Sequence, residues 1–351
     1  MIRKFLVSRH PSLYQAWPDL VLTASGKLVA TFMQCVHHSD RSYTAICLTE
    51  SLDRGRSWSE PRKLAQARGD TYWNCARISK LSSGRLALVC DRVQAGSPSP
   101  RQEIFLWFSD DEGASWQGPL PSPARGIVPD KLLELPGGRW LLACHRTSPR
   151  HGFLEELAWL SDDGGKSWSE PRLLAGKEGL NLCEASVVPL PDGTLVGYLR
   201  ENSGQGWDGF KAISRDGGES WQGPYPVPLP GCHRPVAGMV TDSQLLITYR
   251  FLQGGKGWLG KWTQNFFAAL TDLESAKAEE RSQQWARIMP LDYDRSPVSD
   301  LGYSGWALFP DGEIYVVNYI VDDWPRAQIR GYSLSLEDFS LPSSNGGGEN
   351  A

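Results

Sequence analysis

The chain contains 351 residues, of which 40% are hydrophobic, so it is long enough for one large domain or two ordinary ones with a sizeable core. Its formal net charge is −4 and it has no long run of basic residues, which excludes a nucleic-acid or polyanion binder that relies on positive charge. The 36 glycines, 24 prolines and 15 tryptophans indicate many turns and large aromatic side chains, as is typical of an all-β repeat protein.

The seven cysteines form no C-x-x-C pair, their number is odd, and most lie in apolar, strand-like runs. This pattern predicts buried free thiols rather than disulfides or a zinc site, and free thiols favour a reducing compartment. The sequence has no secretory signal at its N-terminus and no apolar run of about 18 residues. We therefore expect a cytoplasmic protein without membrane contact, or a secreted one if a leader has been removed.

One turn motif, S-x-D-x-G-x-x-W, occurs four times, beginning at Ser51, Ser109, Ser161 and Ser214. The copies follow one another at intervals of 52 to 58 residues, a period that suggests one propeller blade of four strands per repeat. Although the third copy, "SDDGGKSWSEP", resembles a calcium loop, it lacks the glutamate at the twelfth position of an EF-hand. We expect Asp163 to cap backbone amides there and Trp168 to pack between strands.

A second element, a turn followed by an apolar strand, occurs six times, from "SGKLVATF" near the start to "DGEIYVVN" near the end. Together the two elements predict an all-β fold, a six-bladed β-propeller with four-stranded antiparallel blades. The N-terminal "RKFLVSR" is expected to supply the last strand and close the ring, which leaves no free sheet edge. Residues 1–338 would form this single domain, "TDLESAKAEERSQQW" a helical insertion, and 339–351 a disordered polar tail.

The alternation of strand direction places the S-x-D-x-G-x-x-W turns on one face of the disc and the starts of the innermost strands on the other. The second strands of the blades end on that other face in polar side chains, which predicts a surface for a carbohydrate. These residues are Asp91, Arg92, His145, Arg146, Glu201, Asn318 and Tyr319. Four tryptophans expected nearby are candidates either for stacking on sugar rings or for packing in the core: Trp17, Trp73, Trp207 and Trp306.

Four such turns in a six-unit β chain resemble the sialidase (neuraminidase) superfamily with its Asp-box, or BNR, repeats, over residues 5 to 335. The resemblance implies a retaining exo-glycoside hydrolase for a terminal acidic sugar, sialic acid or a related one. It also implies a tyrosine nucleophile paired with a glutamate, three arginines for the sugar carboxylate, and an aspartate as acid/base. Asp boxes also occur in propellers without this activity.

The middle and last blades match this pattern at single positions. Glu184 in "NLCEASVV" stands where the glutamate is expected, and Arg200 in "LVGYLREN" where one arginine is expected. For the fifth blade the candidates are Arg234 in "GCHRPVAG" and Arg250 in "LLITYRF", of which we choose Arg234 because it should lie nearer the axis. Tyr303 in "DLGYSGW" stands at the position of the nucleophile. Each could also be a structural residue held by a partner.

The first blade departs from the family pattern. Ala16 in "YQAWPDL" stands where the first arginine would be, and Arg9 or Arg77 are candidates to replace it in space. A missing arginine of the three puts sialic acid itself in question.

The acid/base is expected in the first loop between the second and third strands, "CVHHSDRSY". Asp40 matches the family residue, and His37 and His38 are rivals.

Two other functions remain open on the sequence alone. One is a propeller glycosidase or polysaccharide lyase of other specificity, for rhamnosyl or uronic acid residues, which uses His37, His145 or His233. The other is a carbohydrate-binding propeller without catalysis. No metal, nucleotide or other cofactor motif is present, so none is predicted; the sequence gives no indication of oligomeric state.

Overall fold

The computed structural model describes residues 2–96, 100–252 and 264–340. Within these ranges the chain forms six four-stranded antiparallel sheets. Five of them consist of four strands that are consecutive in the chain, and the sixth combines the last three strands with the first one. The prediction of an all-β, six-bladed propeller with four-stranded blades is confirmed. In the described part of the chain no helix is long and apolar enough to cross a membrane, and all seven cysteines are buried and free, as predicted.

In each blade the four strands follow one another from the axis outwards. Blades 1 to 3 contain β2 Tyr14–Leu22, β3 Leu28–His37, β4 Asp40–Ser51, β5 Arg62–Arg68; β6 Thr71–Lys80, β7 Leu86–Gln94, β8 Arg101–Ser109, β9 Gln117–Pro121; β10 Leu133–Glu134, β11 Trp140–Thr147, β12 Leu154–Ser161, β13 Arg172–Ala175. Blades 4 to 6 contain β14 Leu182–Pro189, β15 Leu195–Glu201, β16 Phe210–Ser214, β17 Gln222–Pro226; β18 Cys232–Met239, β19 Gln244–Leu252, β20 Gln264–Asp272, β21 Arg287–Tyr293; β22 Leu301–Leu308, β23 Ile314–Ile320, β24 Gln328–Leu334 and β1 Arg3–Ser8.

The N-terminal strand closes the ring, as predicted. β1 pairs antiparallel with β24, with Arg3 opposite Ser333 and Lys4 opposite Tyr332. The Arg3 guanidinium also donates a 3.1 Å hydrogen bond to Ser333 Oγ. Because β1 satisfies the outer edge of the last blade, the two ends of the domain stabilise each other.

The predicted insertion in blade 5 is partly helical. It contains a short helix, α1 Leu273–Lys277, whose first turn is capped by the Asp272 side chain, and a 3₁₀ turn, Arg281–Gln283. Near the C-terminus a second 3₁₀ turn, Leu336–Phe339, buries the Phe339 side chain. The polar tail therefore begins after Phe339, and from residue 341 onward the predicted tail lies outside the described residues.

The S-x-D-x-G-x-x-W turns satisfy their own polar groups. In the third copy Asp163 Oδ1 accepts a 2.8 Å hydrogen bond from the Ser167 amide, and Trp168 Nε1 donates one of 3.1 Å to the Gly165 carbonyl. The Trp168 ring packs against the hydrophobic core of the neighbouring strands. The same bonds recur in the other three copies. The motif is a structural turn, as expected.

Two adjacent glycines of this turn allow a test of its packing. Gly164 and Gly165 both have a positive φ, but a Cβ on Gly164 would contact nothing, whereas one on Gly165 would lie 2.8 Å from Trp140 Cζ3. Gly164→Ala should lower the free energy of unfolding by about 1 kcal/mol from backbone strain alone. Gly165→Ala should cost about 1–3 kcal/mol more, because the buried Trp140 ring must move. Urea unfolding would measure both, and equal losses would contradict this role for Gly165.

The same β-bulge interrupts the innermost strand of five blades. Between two paired positions, two residues of the inner strand face one residue of its neighbour: in blade 4 the pairing shifts between Cys183 and Ser186, and equivalent shifts occur in blades 1, 2, 5 and 6. The first extra residue has a left-handed backbone in four blades: Trp17 (φ 51°), Glu184 (φ 55°), Arg234 (φ 49°) and Tyr303 (φ 54°). Such bulges change the direction in which side chains point, and here they all lie on the innermost strands, next to the central axis.

Candidate active site

The bulges bring Tyr303 and Glu184 together at the axis. The Tyr303 hydroxyl donates a short hydrogen bond to Glu184 Oε1, although the two residues are 119 positions apart in the chain. Both side chains are buried, with Tyr303 8% and Glu184 4% exposed. A phenol hydrogen-bonded to a carboxylate is the arrangement in which the carboxylate can take the phenolic proton.

Arg200, at the end of β15, completes this pair. Its Nη1 donates a 2.9 Å hydrogen bond to the same Glu184 oxygen, and its Nη2 bonds the Asn202 side chain. Within the described residues, Arg200 Nε and Glu184 Oε2 have no protein partner. The buried ion pair thus retains free donor and acceptor capacity beside the tyrosine.

Two further arginines flank the tyrosine ring. The Arg234 and Arg250 guanidinium carbons lie 5.5 and 5.6 Å from the centre of the Tyr303 ring. Arg234 donates a 3.0 Å hydrogen bond to the Pro129 carbonyl, but its Nε and Nη1 have no partner in the described chain. Arg250 bonds the Leu301 carbonyl at 3.3 Å and lies 3.9 Å from Asp300. The sequence favoured Arg234 over Arg250, yet both belong to this cluster.

The electrostatics of the pair follow from this charge cluster. Burial alone would raise the pKa of Glu184, but the charges of Arg200 and Arg234 outweigh it and lower this pKa to about 2. Burial and the Glu184 charge raise the pKa of Tyr303 well above its usual value. The resting site therefore contains an ionised Glu184 and a neutral tyrosine.

A second carboxylate, Asp300, lies beside this cluster with 16% of its side chain exposed and was not predicted from the sequence. It accepts hydrogen bonds from the Tyr14 and Tyr319 hydroxyls, the latter at 2.8 Å, and from Nδ1 of His38. Burial alone would raise the pKa of Asp300, but the bond from His38 and the charges of His38 and Arg250 lower it. A sequence signal existed, since Asp300 directly precedes the innermost strand of blade 6, but two of its three partners, His38 and Tyr14, lie 262 and 286 residues away.

The family profile described as "BNR repeat-like domain" matches residues 26–316 of the chain. The chain belongs to this family. The Asp-box turns and the six-bladed ring agree with this, and the protein is a BNR-repeat propeller of the sialidase superfamily.

Several proteins resemble this BNR-repeat propeller. An anhydrosialidase from Macrobdella decora is 27% identical over 278 residues, which are 70% of this chain and 33% of that protein, so the chain spans a third of the length of this relative. A protein of unknown function from Dyadobacter fermentans has a TM-score of 0.78 at 20% identity, over 95% of this chain and 99% of that one. An intramolecular trans-sialidase from Ruminococcus gnavus has a TM-score of 0.70 at 14% identity, over 94% and 96%.

In the first blade, neither Arg77 nor Arg9, the two candidates to replace the family arginine, has a described contact with Tyr303. The position of Ala16 is buried, and Trp17 occupies the bulge beside it, with its ring centre 6.5 Å from that of Tyr303. Arg77 is buried against Asp19 at 3.4 Å and donates a 3.0 Å hydrogen bond to the Ser304 carbonyl. Arg9 lies over the Trp324 ring. Arg77 is therefore engaged in holding the inner strands together, and the predicted substrate-binding role for it gains no support from these contacts.

The loop predicted to hold the acid/base places its three candidates differently. Asp40 is exposed, and its carboxylate accepts a 3.0 Å hydrogen bond from the Ser42 amide. His37 is also exposed, and its Nδ1 is 2.9 Å from Ser39 Oγ. His38 alone of the three bonds a residue of the cluster, the partly buried Asp300. The predicted assignments to Asp40 and His37 thus rest on the resemblance and not on contacts with Tyr303.

The other histidines and tryptophans named from the sequence are mostly buried. Burial lowers the pKa of His145 to about 4 and that of His233 well below its usual value, so both are neutral near neutral pH. Trp73 packs on Phe105 and Trp107 in the core. Trp207, in contrast, is 50% exposed. In the described chain no three His, Cys, Asp or Glu side chains form a metal-binding group.

Proposed function

We propose that this chain is a sialidase-like exo-glycoside hydrolase for a terminal acidic sugar, sialic acid or a related one. The observation that carries the proposal is the hydrogen bond from Tyr303 to Glu184, with Arg200 on the same carboxylate and Arg234 and Arg250 close to the ring. The names of the Macrobdella decora and Ruminococcus gnavus proteins, an anhydrosialidase and an intramolecular trans-sialidase, support a sialic acid glycoside as the substrate.

The free guanidinium groups would bind the substrate carboxylate. Within the described residues, the buried Nε atoms of Arg200, Arg234 and Arg250 and the Nη1 atom of Arg234 have no protein partner, and guanidinium suits a carboxylate because it can donate two parallel hydrogen bonds. Arg250 would then supply the third cation that the first blade lacks. This arrangement favours a sugar acid over a neutral sugar.

Tyr303 would act as the nucleophile of a retaining reaction. In the resting site Glu184 is a weak base, because the arginines lower its pKa. A substrate carboxylate on Arg200 and Arg234 would offset their charge and raise the pKa of Glu184, so that it can accept the phenolic proton as Tyr303 attacks the anomeric carbon. Substrate binding itself would thereby activate the nucleophile.

The test is a substrate panel. The chain should release the fluorophore from an aryl sialoside, and should do so much faster than from aryl rhamnosides or aryl uronides; a Kdo glycoside distinguishes a related sugar acid. No turnover of any acidic glycoside, or unsaturated-uronate absorbance from a polysaccharide, would overturn the proposal. Product analysis distinguishes hydrolysis, which releases the free sugar, from intramolecular transfer, the reaction named for the Ruminococcus gnavus relative.

Removal of one flanking arginine should selectively weaken binding of the carboxylate. Arg250→Gln is expected to raise KM for an aryl sialoside about 10-fold or more, and to reduce the preference for the acid over its methyl ester, because a charged hydrogen bond is lost. Arg139→Gln serves as the matched control, since Arg139 bonds Asp162 and Glu219 on the Asp-box face. An unchanged preference for the acid in Arg250→Gln would remove Arg250 from the binding group.

A further inference from the structure

His38 is held in one orientation by a partly buried carboxylate. Its Nδ1 bonds Asp300, whose side chain is also fixed by the Tyr14 and Tyr319 hydroxyls. The side chain of His38 is 45% exposed, whereas that of Asp300 is 16% exposed. A carboxylate on one ring nitrogen fixes the tautomer and leaves the other nitrogen, Nε2, free to exchange a proton with a ligand.

His38 is also connected to the tyrosine pair through an aromatic ring. Its ring meets the Trp17 ring edge-on at a centroid distance of 5.2 Å, and Trp17 in turn lies 6.5 Å from the Tyr303 ring. Arg41 fixes the turn from outside: its Nε donates a 2.9 Å hydrogen bond to the His38 carbonyl and its guanidinium covers Trp17 at 3.9 Å. These ring contacts link His38 to Tyr303 through Trp17.

We propose that His38 is the acid/base of the reaction and that Asp300 is its positioning residue, an inference that rests on the proposed function above. In the first step the Tyr303 oxygen bonds the anomeric carbon, the phenolic proton passes to Glu184, and the glycosidic bond breaks as His38 Nε2–H protonates the departing oxygen. In the second step water attacks that carbon and gives its proton to His38, while Tyr303 leaves and recovers its proton from Glu184. One water is consumed and every side chain returns to its starting state.

The experiment compares leaving groups, because only a poor leaving group needs a general acid. For a sialyl-lactose substrate, whose leaving group is a sugar hydroxyl, His38→Ala should lower kcat/KM by about 10²–10⁴-fold. For an aryl sialoside with an acidic phenol, kcat/KM should stay within about tenfold of the unmodified chain, while kcat and KM fall together because the intermediate accumulates. His38→Asn and Asp300→Asn should show the same pattern, the latter more weakly. Tyr303→Phe should abolish the turnover of both substrates.

The controls separate the possible failures. His151→Gln removes a histidine in the corresponding turn of blade 3 that accepts a hydrogen bond from the Phe153 amide. This variant should leave kcat/KM unchanged for both substrates. Equal losses on both substrates in the His38 variants, or the leaving-group pattern in Asp40→Asn instead, would overturn the role of His38 and leave the proposed hydrolase standing. If the unmodified chain cleaves neither sialoside, the proposed function fails and the role of His38 fails with it.

Discussion

Replacement of Tyr303 by phenylalanine is expected to lower kcat for an aryl sialoside by at least about 10³-fold, because the variant lacks the oxygen that would attack the anomeric carbon. The ring itself would keep its place, because it packs beside Trp17 and Tyr319 and its centre lies 5.5 and 5.6 Å from the guanidinium carbons of Arg234 and Arg250. Fluorophore release gives the rate, and NMR of the first-formed anomer gives the stereochemistry, which should be retained in the unmodified chain.

Tyr315→Phe is the matched control for this variant. Tyr315 is fully buried, and its hydroxyl donates a 2.7 Å hydrogen bond to the Gly55 carbonyl on the Asp-box side of the ring. Its loss should lower the free energy of unfolding by about 1 kcal/mol and leave turnover close to that of the unmodified chain. If Tyr303→Phe keeps full turnover, another group attacks the sugar, whichever stereochemistry the product has.

The architecture could be predicted because it repeats. Four copies of one turn and six copies of one hairpin gave the number of blades, and the alternation of strands showed which face of the disc carries the Asp boxes. The contacts agree: the Ser25 amide in a hairpin turn of blade 1 bonds Glu112 in the Asp box of blade 2, and Arg54 in an Asp box bonds Asp311 in a hairpin turn. Local periodicity carries this information without any knowledge of the site.

The details of the site depend on features with no local signal. A left-handed backbone is unusual for glutamate, arginine or tyrosine, so residue preferences give no reason to expect bulges at Glu184, Arg234 or Tyr303. The neighbouring blades fix the inner strands around them. Asp19 Oδ2 accepts a 2.8 Å hydrogen bond from the Ile78 amide of the next blade, and Ser186 Oγ accepts one of 3.0 Å from Ala237. Strain of this kind persists only where such contacts over-determine it.

The pairing of His38 with Asp300 could not be predicted for a related reason. The sequence identified the loop, and the family pattern pointed to Asp40 within it, but which side chain of a tight turn faces inward depends on the hairpin register. In that register His37 lies opposite Asp40, and His38 stands at the tip of the turn. Its partner comes from the opposite end of the chain and is brought there by the closure of the ring.

Glu184→Gln is expected to destabilise the fold strongly near neutral pH, as well as to abolish turnover. The variant leaves Arg200, whose side chain is only 12% exposed, without its ion-pair partner and removes a negative charge near the buried Arg234, a change that typically costs about 3–5 kcal/mol. In the folded protein the pKa of Glu184 is about 2, below its usual value of about 4.3 in an unfolded chain. The stabilisation from this difference is therefore fully present above about pH 4.3 and is lost as the pH falls towards 2.

The difference in unfolding free energy between the unmodified chain and Glu184→Gln should therefore narrow on acidification, by about 1 kcal/mol between about pH 7 and pH 3.5. Urea unfolding at several pH values measures it, and the other carboxylates titrate alike in both proteins and cancel. Glu201→Gln is the matched control, because this buried carboxylate of the same blade accepts from backbone amides of Asn181 and Ser203 rather than from arginine. Glu201→Gln should lower the free energy of unfolding by less than Glu184→Gln does. A difference that stays constant with pH would mean that the arginines do not lower the pKa of Glu184, and the substrate-driven activation of Tyr303 would lose its basis.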